Sequence, residues 1–103
     1  MLDIISSLIL SNDREITYEF VDLEVIYISQ TLELMRDAKK ISNDAYLDSG
    51  SIQGGLSVIS SLLEQGVQKK EINLLLNTLL ERAKALNSKY PELNGLIESY
   101  RNT

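Results

Sequence analysis

The stretch from Asp13 to Ser42, DREITYEFVDLEVIYISQTLELMRDAKKIS, decides the fold. It holds no Gly or Pro, and its apolar residues fall into two stripes at helical spacing. Tyr18, Val21, Val25, Ile28, Leu32 and Met35 alternate steps of three and four without interruption. Ile16, Phe20, Leu23, Tyr27, Leu34, Ala38 and Ile41 keep the same rhythm, except that Gln30 falls on the seam. At about 100° per residue the stripes lie on different sides of one helix, with Thr17, Glu24 and Thr31 between them. Many of these residues are β-branched and would suit strands. The helical period nevertheless holds over about five turns, and acids precede Arg36, Lys39 and Lys40 as the helix dipole favours. The expectation is one helix of about thirty residues. Two apolar faces need two covers, so this helix is either the centre of a bundle or shared between subunits.

Working outward, Ile4, Ile5, Leu8 and Ile9 share one face of a short helix over about 2–10, with Asp3, Ser6 and Ser7 opposite. Ser11-Asn12-Asp13 can end that helix and cap the next. The same tripeptide recurs as Ser42-Asn43-Asp44, but the residues that follow differ, so it reads as recurring turn chemistry and not a repeat. Residues 44–51 read as the main loop. A helix then runs from near Ser51 to Gln65, with Ile52, Leu56, Ile59 and Leu63 inward, Gly66 as its C-terminal cap and Val67 as the hydrophobic contact that accompanies such an ending. The next helix, about Lys69 to Ser88, carries Ile72, Leu75, Leu76, Leu79, Leu80, Ala83 and Leu86 on one face. Its short connection forces antiparallel packing on its predecessor. Pro91 opens a last short helix bearing Leu93, Leu96, Ile97 and Tyr100. The fold class is therefore all-α: a single domain over residues 1–103, a bundle of four to five helices built around one long central helix.

Length sharpens this reading. Thirty helical residues span about 45 Å, whereas a domain of this size has a diameter of roughly 33 Å. The long helix must kink or project. A projecting helix with an uncovered stripe finds a second copy of itself, so a homodimer is expected, with Tyr18, Val21, Val25, Ile28, Leu32 and Met35 as the interface and the opposite stripe holding the helix in its own bundle.

Composition narrows function more than it identifies it. The chain has neither Cys nor His. Disulfides, thiolate nucleophiles and the usual zinc, copper and non-haem iron ligand sets are thereby removed, together with the side chain most used for proton transfer near neutral pH. No catalytic residue, cofactor site or metal site is expected, and the chain reads as non-enzymatic. No stretch approaches the roughly 20 apolar residues of a membrane span, and the N-terminal run lacks the charge and cleavage pattern of a signal peptide. A cytoplasmic protein is expected. The net charge of -5 is concentrated in residues 1–24, where Asp3, Asp13, Glu15, Glu19, Asp22 and Glu24 face Arg14 alone. An acidic end on an otherwise neutral body disfavours nucleic acid.

Several local features carry weaker suggestions. Gly50, Gly54 and Gly55 lack the Lys-Ser/Thr ending and preceding strand of a phosphate loop, and read instead as a place of close helix approach or a local helix defect. Glu15, Glu19, Asp22 and Glu33 share a helical face that is either simply solvated or recognises a basic partner; Glu15, Glu19 and Asp22 are the partner-recognition candidates. Asp44 and Asp48 do not fit a calcium loop. Gln30 either fixes register between paired helices or marks where its stripe meets water. The expected function is that of a small non-catalytic protein acting by protein–protein contact, as regulator, adaptor, inhibitor or chaperone-like partner, and self-associating. The alternative is a toxin inhibitor of the helical bacteriocin-immunity kind, for which length and helix order speak but no motif. An enzyme built on carboxylates and tyrosines finds no constellation in the chain.

Overall fold

The computed structural model describes residues 1–10 and 17–101, apart from the side chains of Leu2 and Leu10. Among them are five helices and no strand: α1 (Leu2–Leu10), α2 (Tyr18–Asp37), α3 (Asn43–Glu64), α4 (Lys69–Lys89) and α5 (Leu93–Arg101). The all-helical expectation holds, but the long central helix does not. Asp13 to Ile16 lie outside the described residues. Thr17 caps α2, its hydroxyl accepting from the Phe20 N–H at 3.3 Å. The other end is a closed turn. Lys39 adopts φ 60°, its N–H donates to the Arg36 carbonyl at 3.0 Å, and the Lys40 N–H donates to the Met35 carbonyl at 2.8 Å. This is the Schellman pairing that ordinarily recruits glycine. Here a lysine occupies the left-handed position, which is why no glycine announces the helix end in the sequence.

Ending α2 at Asp37 leaves 20 residues, about 30 Å of helix. That length fits inside a molecule measuring 40 × 24 × 21 Å with a radius of gyration of 13.4 Å. Among the described residues no helix projects, and the geometric argument for a second copy disappears.

The chain then turns directly into α3. Ser42 accepts from the Ala45 N–H at 3.1 Å, so residues 44–51 are helix and not the expected loop. Ala45, Ser49, Ile52, Leu56 and Ile59 are buried, in steps of four and three. Two small members at the start of that stripe hid its period. Ser49, wholly buried, returns its hydroxyl proton to the Ala45 carbonyl at 2.6 Å, which satisfies it within its own turn. Gly50 therefore lies inside a helix, and the phosphate-loop reading has no loop to occupy. Gly66 ends the helix as expected, at φ 83°, with its N–H on the Leu63 carbonyl and the Val67 N–H on that of Leu62. Val67 and Leu62 both pack against the core.

Packing follows the chain. α2 lies along α3, α3 along α4, α1 covers α4, and α5 returns to α2. The α3–α4 pair approaches closely at Gly55, where a Cβ would sit 2.6 Å from Leu79 Cδ1, whereas Gly54 has open space around it. The small-residue reading is thus right for one glycine of the pair. Ile4, Ile5 and Leu8 of α1, Ile72, Leu76, Leu79 and Ala83 of α4, and Leu93 and Ile97 of α5 join a single core.

The α2 ending makes a measurable prediction. A β-carbon in the left-handed region costs roughly 1–2 kcal/mol, partly offset in a glycine by the extra entropy it loses on folding. Lys39→Gly should therefore raise unfolding free energy by about 0.5–1 kcal/mol in urea titrations, with no change in m-value.

Candidate interaction surfaces

The two stripes of α2 have exchanged the roles expected of them. Val21, Ile28, Leu32 and Met35 are at most 1% exposed, and Tyr18 and Val25 are partly covered. The stripe expected to meet a second subunit is the one that holds α2 in its own bundle. Most of the opposite stripe faces outward: Phe20, Leu23 and Leu34 are 50%, 66% and 57% exposed, while Tyr27 and Ile41 pack at the edge of the core. The choice has a physical reason. The buried stripe is apolar at every step, whereas burying the other would take Gln30 out of water without a partner. Gln30 is exposed, so its stripe does run out into solvent.

Between the stripes, α5 lies over one flank of α2. The Tyr27 hydroxyl donates to the Ile97 carbonyl at 2.7 Å. Arg101 forms a fork on Glu24 at 3.2 and 2.9 Å, reaches Glu98 at 3.0 Å and stacks 4.1 Å above the Tyr27 ring. Glu24 is therefore a structural acid. Asp22 is also engaged, receiving the Ser60 hydroxyl of α3. Glu15 lies outside the described residues, and Glu19 and Glu33 are exposed.

Apart from Phe20 and Asp22, what is most exposed on α2 forms a ridge. Glu19, Leu23, Ile26, Gln30, Glu33, Leu34 and Asp37 are all exposed and share an arc about 100° wide at helical spacing. Three large aliphatic side chains thus stand in line, flanked by three carboxylates. Scattered surface leucines need no explanation, but an aligned set on one helix face does.

A second apolar surface runs along the outer groove between α3 and α4. Its floor is Gly55, Ile59 and Leu79, with Val58 and Leu75 beside them and Thr78 and Arg82 on the rim. It continues past Arg82 to Ser51, Leu47 and Ala85. Val58 and Leu47 are 57% and 69% exposed. Sequence reading missed this surface, although a signal exists: α3 carries no charged residue from Ser49 to Leu63. The signal was obscured because glycine and serine there look like loop residues.

At the end of the bundle, Asp48 Oδ2 accepts from Lys89 Nζ and from the Tyr90 hydroxyl, each at 2.9 Å. These hydrogen bonds, that of Lys89 foremost, hold the Asp48 carboxyl below its ordinary range and raise the Lys89 ammonium. Burial, then Asp48, pushes Tyr90 up. A carboxylate committed to two donors has little capacity to act as a general base. An adjoining pocket is lined by Lys40, Ile41, Tyr90, Pro91, Leu93 and Leu96. Tyr46 lies under Arg36 at 4.4 Å and Tyr100 under Lys40 at 5.5 Å, so four of the five tyrosines carry a cation above the ring or bond an opposing helix. No cluster of three or more acidic side chains suited to a metal ion occurs among the described residues. None of the described helices is long and apolar enough to cross a membrane.

Compared with protein-family models, curated proteins and solved structures, the chain matches none.

Three outcomes follow from this geometry. Ile28→Glu should unfold the protein, because burying an aliphatic side chain of this size is worth roughly 1.5–3 kcal/mol and an unpaired buried charge costs more again. Leu23→Glu should leave the helical circular dichroism and melting temperature nearly unchanged. Asp48→Asn should lower the melting temperature at neutral pH. Because the folded carboxyl titrates below its unfolded value, its contribution is full above the ordinary carboxylate range and is lost as pH falls through the folded value. The melting curves of variant and wild type should therefore converge in acid.

Proposed function

We propose that this chain is a non-catalytic protein that acts by contact with another protein, through the outward ridge of α2. The observation that carries the reading is the alignment of Leu23, Ile26 and Leu34 in solvent on a helix whose other face already fills the core. Apolar side chains in line at helical spacing are the pattern by which a helix seats in an apolar groove. The flanking acids Glu19, Glu33 and Asp37 select a partner surface with cations at its margin, since complementary potential speeds encounter and penalises wrong partners. The absence of His and Cys from the sequence, and the engagement of Asp48, Asp22 and Glu24 in structural bonds, favour binding over catalysis. Inhibition of a basic toxin, in the manner of a bacteriocin-immunity protein, is one form this reading can take, and the acidic margin of the ridge supports it.

The test compares wild type with Leu23→Glu/Leu34→Glu in affinity purification from the native host, with mass spectrometry of co-purifying proteins. The double variant should stay folded and lose a partner that wild type retains at stoichiometric amounts. Retention of the same partner by the variant would remove the ridge from function.

A further inference from the structure

The chain carries, on a different face, a surface that suits its own ridge. The groove between α3 and α4 has an apolar floor at Gly55 and Leu79, with Val58 and Leu75 raised beside it. Gly55 lets the two helices approach closely, and the half of the groove around it holds no carboxylate; Asp48, which lines the other half, is taken up by Lys89 and Tyr90. α4 supplies the opposite sign. It carries Lys69, Lys70, Arg82, Lys84 and Lys89 against Glu71 and Glu81, a net +3, and of these Arg82 and Lys89 line the groove, against Asp48 of α3. α2 carries Glu19, Asp22, Glu24, Glu33 and Asp37 against Arg36, a net -4. α4 is the only one of the five helices with a positive balance. Arg82, exposed at the rim where the two halves of the groove meet, makes no ion pair among the described residues.

We propose that the α2 ridge of one copy seats in the α3–α4 groove of a second copy. The inference rests on the ridge being a protein-binding face and names its occupant as this chain itself. Leu23, Ile26 and Leu34 would lie against Val58, Leu75 and Leu79, with Glu33 or Asp37 meeting Arg82. A ridge-to-ridge contact would instead set carboxylates against carboxylates, so charge favours the groove. Ridge and groove share no residue, so a single such contact is heterologous: the joined pair keeps one free ridge on one copy and one free groove on the other, and association continues beyond a dimer unless the rotation closes a ring.

The experiment uses three full-length proteins: wild type, a ridge variant (Leu23→Glu/Leu34→Glu) and a groove variant (Leu75→Glu/Arg82→Glu). All four substituted residues are exposed, and circular dichroism verifies that each variant folds. In size-exclusion chromatography with light scattering across a concentration series, wild type should grow past the dimer mass or settle at a ring. Each variant alone should remain monomeric. Their equimolar mixture should form a one-to-one dimer and nothing larger, because it contains a single competent ridge–groove pair. A mixture that stays monomeric overturns the proposal, as does a groove variant that associates like wild type. In either case the groove variant decides the separate question: if it still captures the host protein that the ridge variant loses, the ridge keeps its function with another partner. If both variants capture it, the ridge reading falls as well.

Discussion

The constraint on which the rest depends is the burial of Val21, Ile28, Leu32 and Met35 of α2 against α3. With half-buried Val25 between Val21 and Ile28, five side chains in unbroken four-and-three steps give one continuous apolar strip whose side chains hold no polar atom to satisfy. Once that strip is inside, the rotation of α2 is fixed to within a fraction of a turn. Everything else on the helix then has its place: Glu24 and Tyr27 turn towards α5, Asp22 towards Ser60, and Leu23, Ile26 and Leu34 towards water. The outward ridge is thus a consequence of how the core is filled, yet its composition is not. Exposed as they are, those three positions do not need aliphatic side chains to fill the core, and that character is what supports the proposed contact with a partner.

The termini of the helices depend on backbone chemistry that is cheaper than core packing and harder to see. Gly66 and Lys39 perform the same geometric task, a left-handed residue closing a Schellman turn. Glycine does so without strain, and lysine does so because the surrounding hydrogen bonds outweigh the steric cost. Ser42 and Thr17 likewise cap their helices through side-chain oxygens. Together these turns keep each element short enough for α2, α3 and α4 to pack as one bundle about 40 Å long.

Charge is organised around the same frame. The acidic excess near the N-terminal third of the chain looked in sequence like a single patch, but folding divides it. Glu24 is paired with Arg101 and Asp22 keeps its charge while accepting a serine hydroxyl of α3, whereas Glu19 and, further along α2, Glu33 are exposed. The surviving negative potential lies along the α2 ridge, and the compensating positive balance lies on α4. Surface ion pairs contribute little to stability, so this separation of sign is not needed for folding and supports the proposed recognition.

The sequence by itself determined that the chain is helical, where α1, α4 and α5 lie, and that α2 carries two apolar stripes, because periodicity and cap chemistry are local properties. It also held, in Gln30, the information about which stripe faces out; a polar residue on one seam makes that seam the costlier to bury. It could not end α2 at Asp37, since a lysine in a left-handed turn leaves no trace in composition, nor start α3 at Asn43, since Ala45 and Ser49 bury as effectively as larger residues without reading as core. Which acids are spent on structure, and which apolar side chains remain in water, was decided only by tertiary packing. Those outcomes depend on residues about 40 to 77 positions apart along the chain, and no local pattern records which distant side chain will arrive.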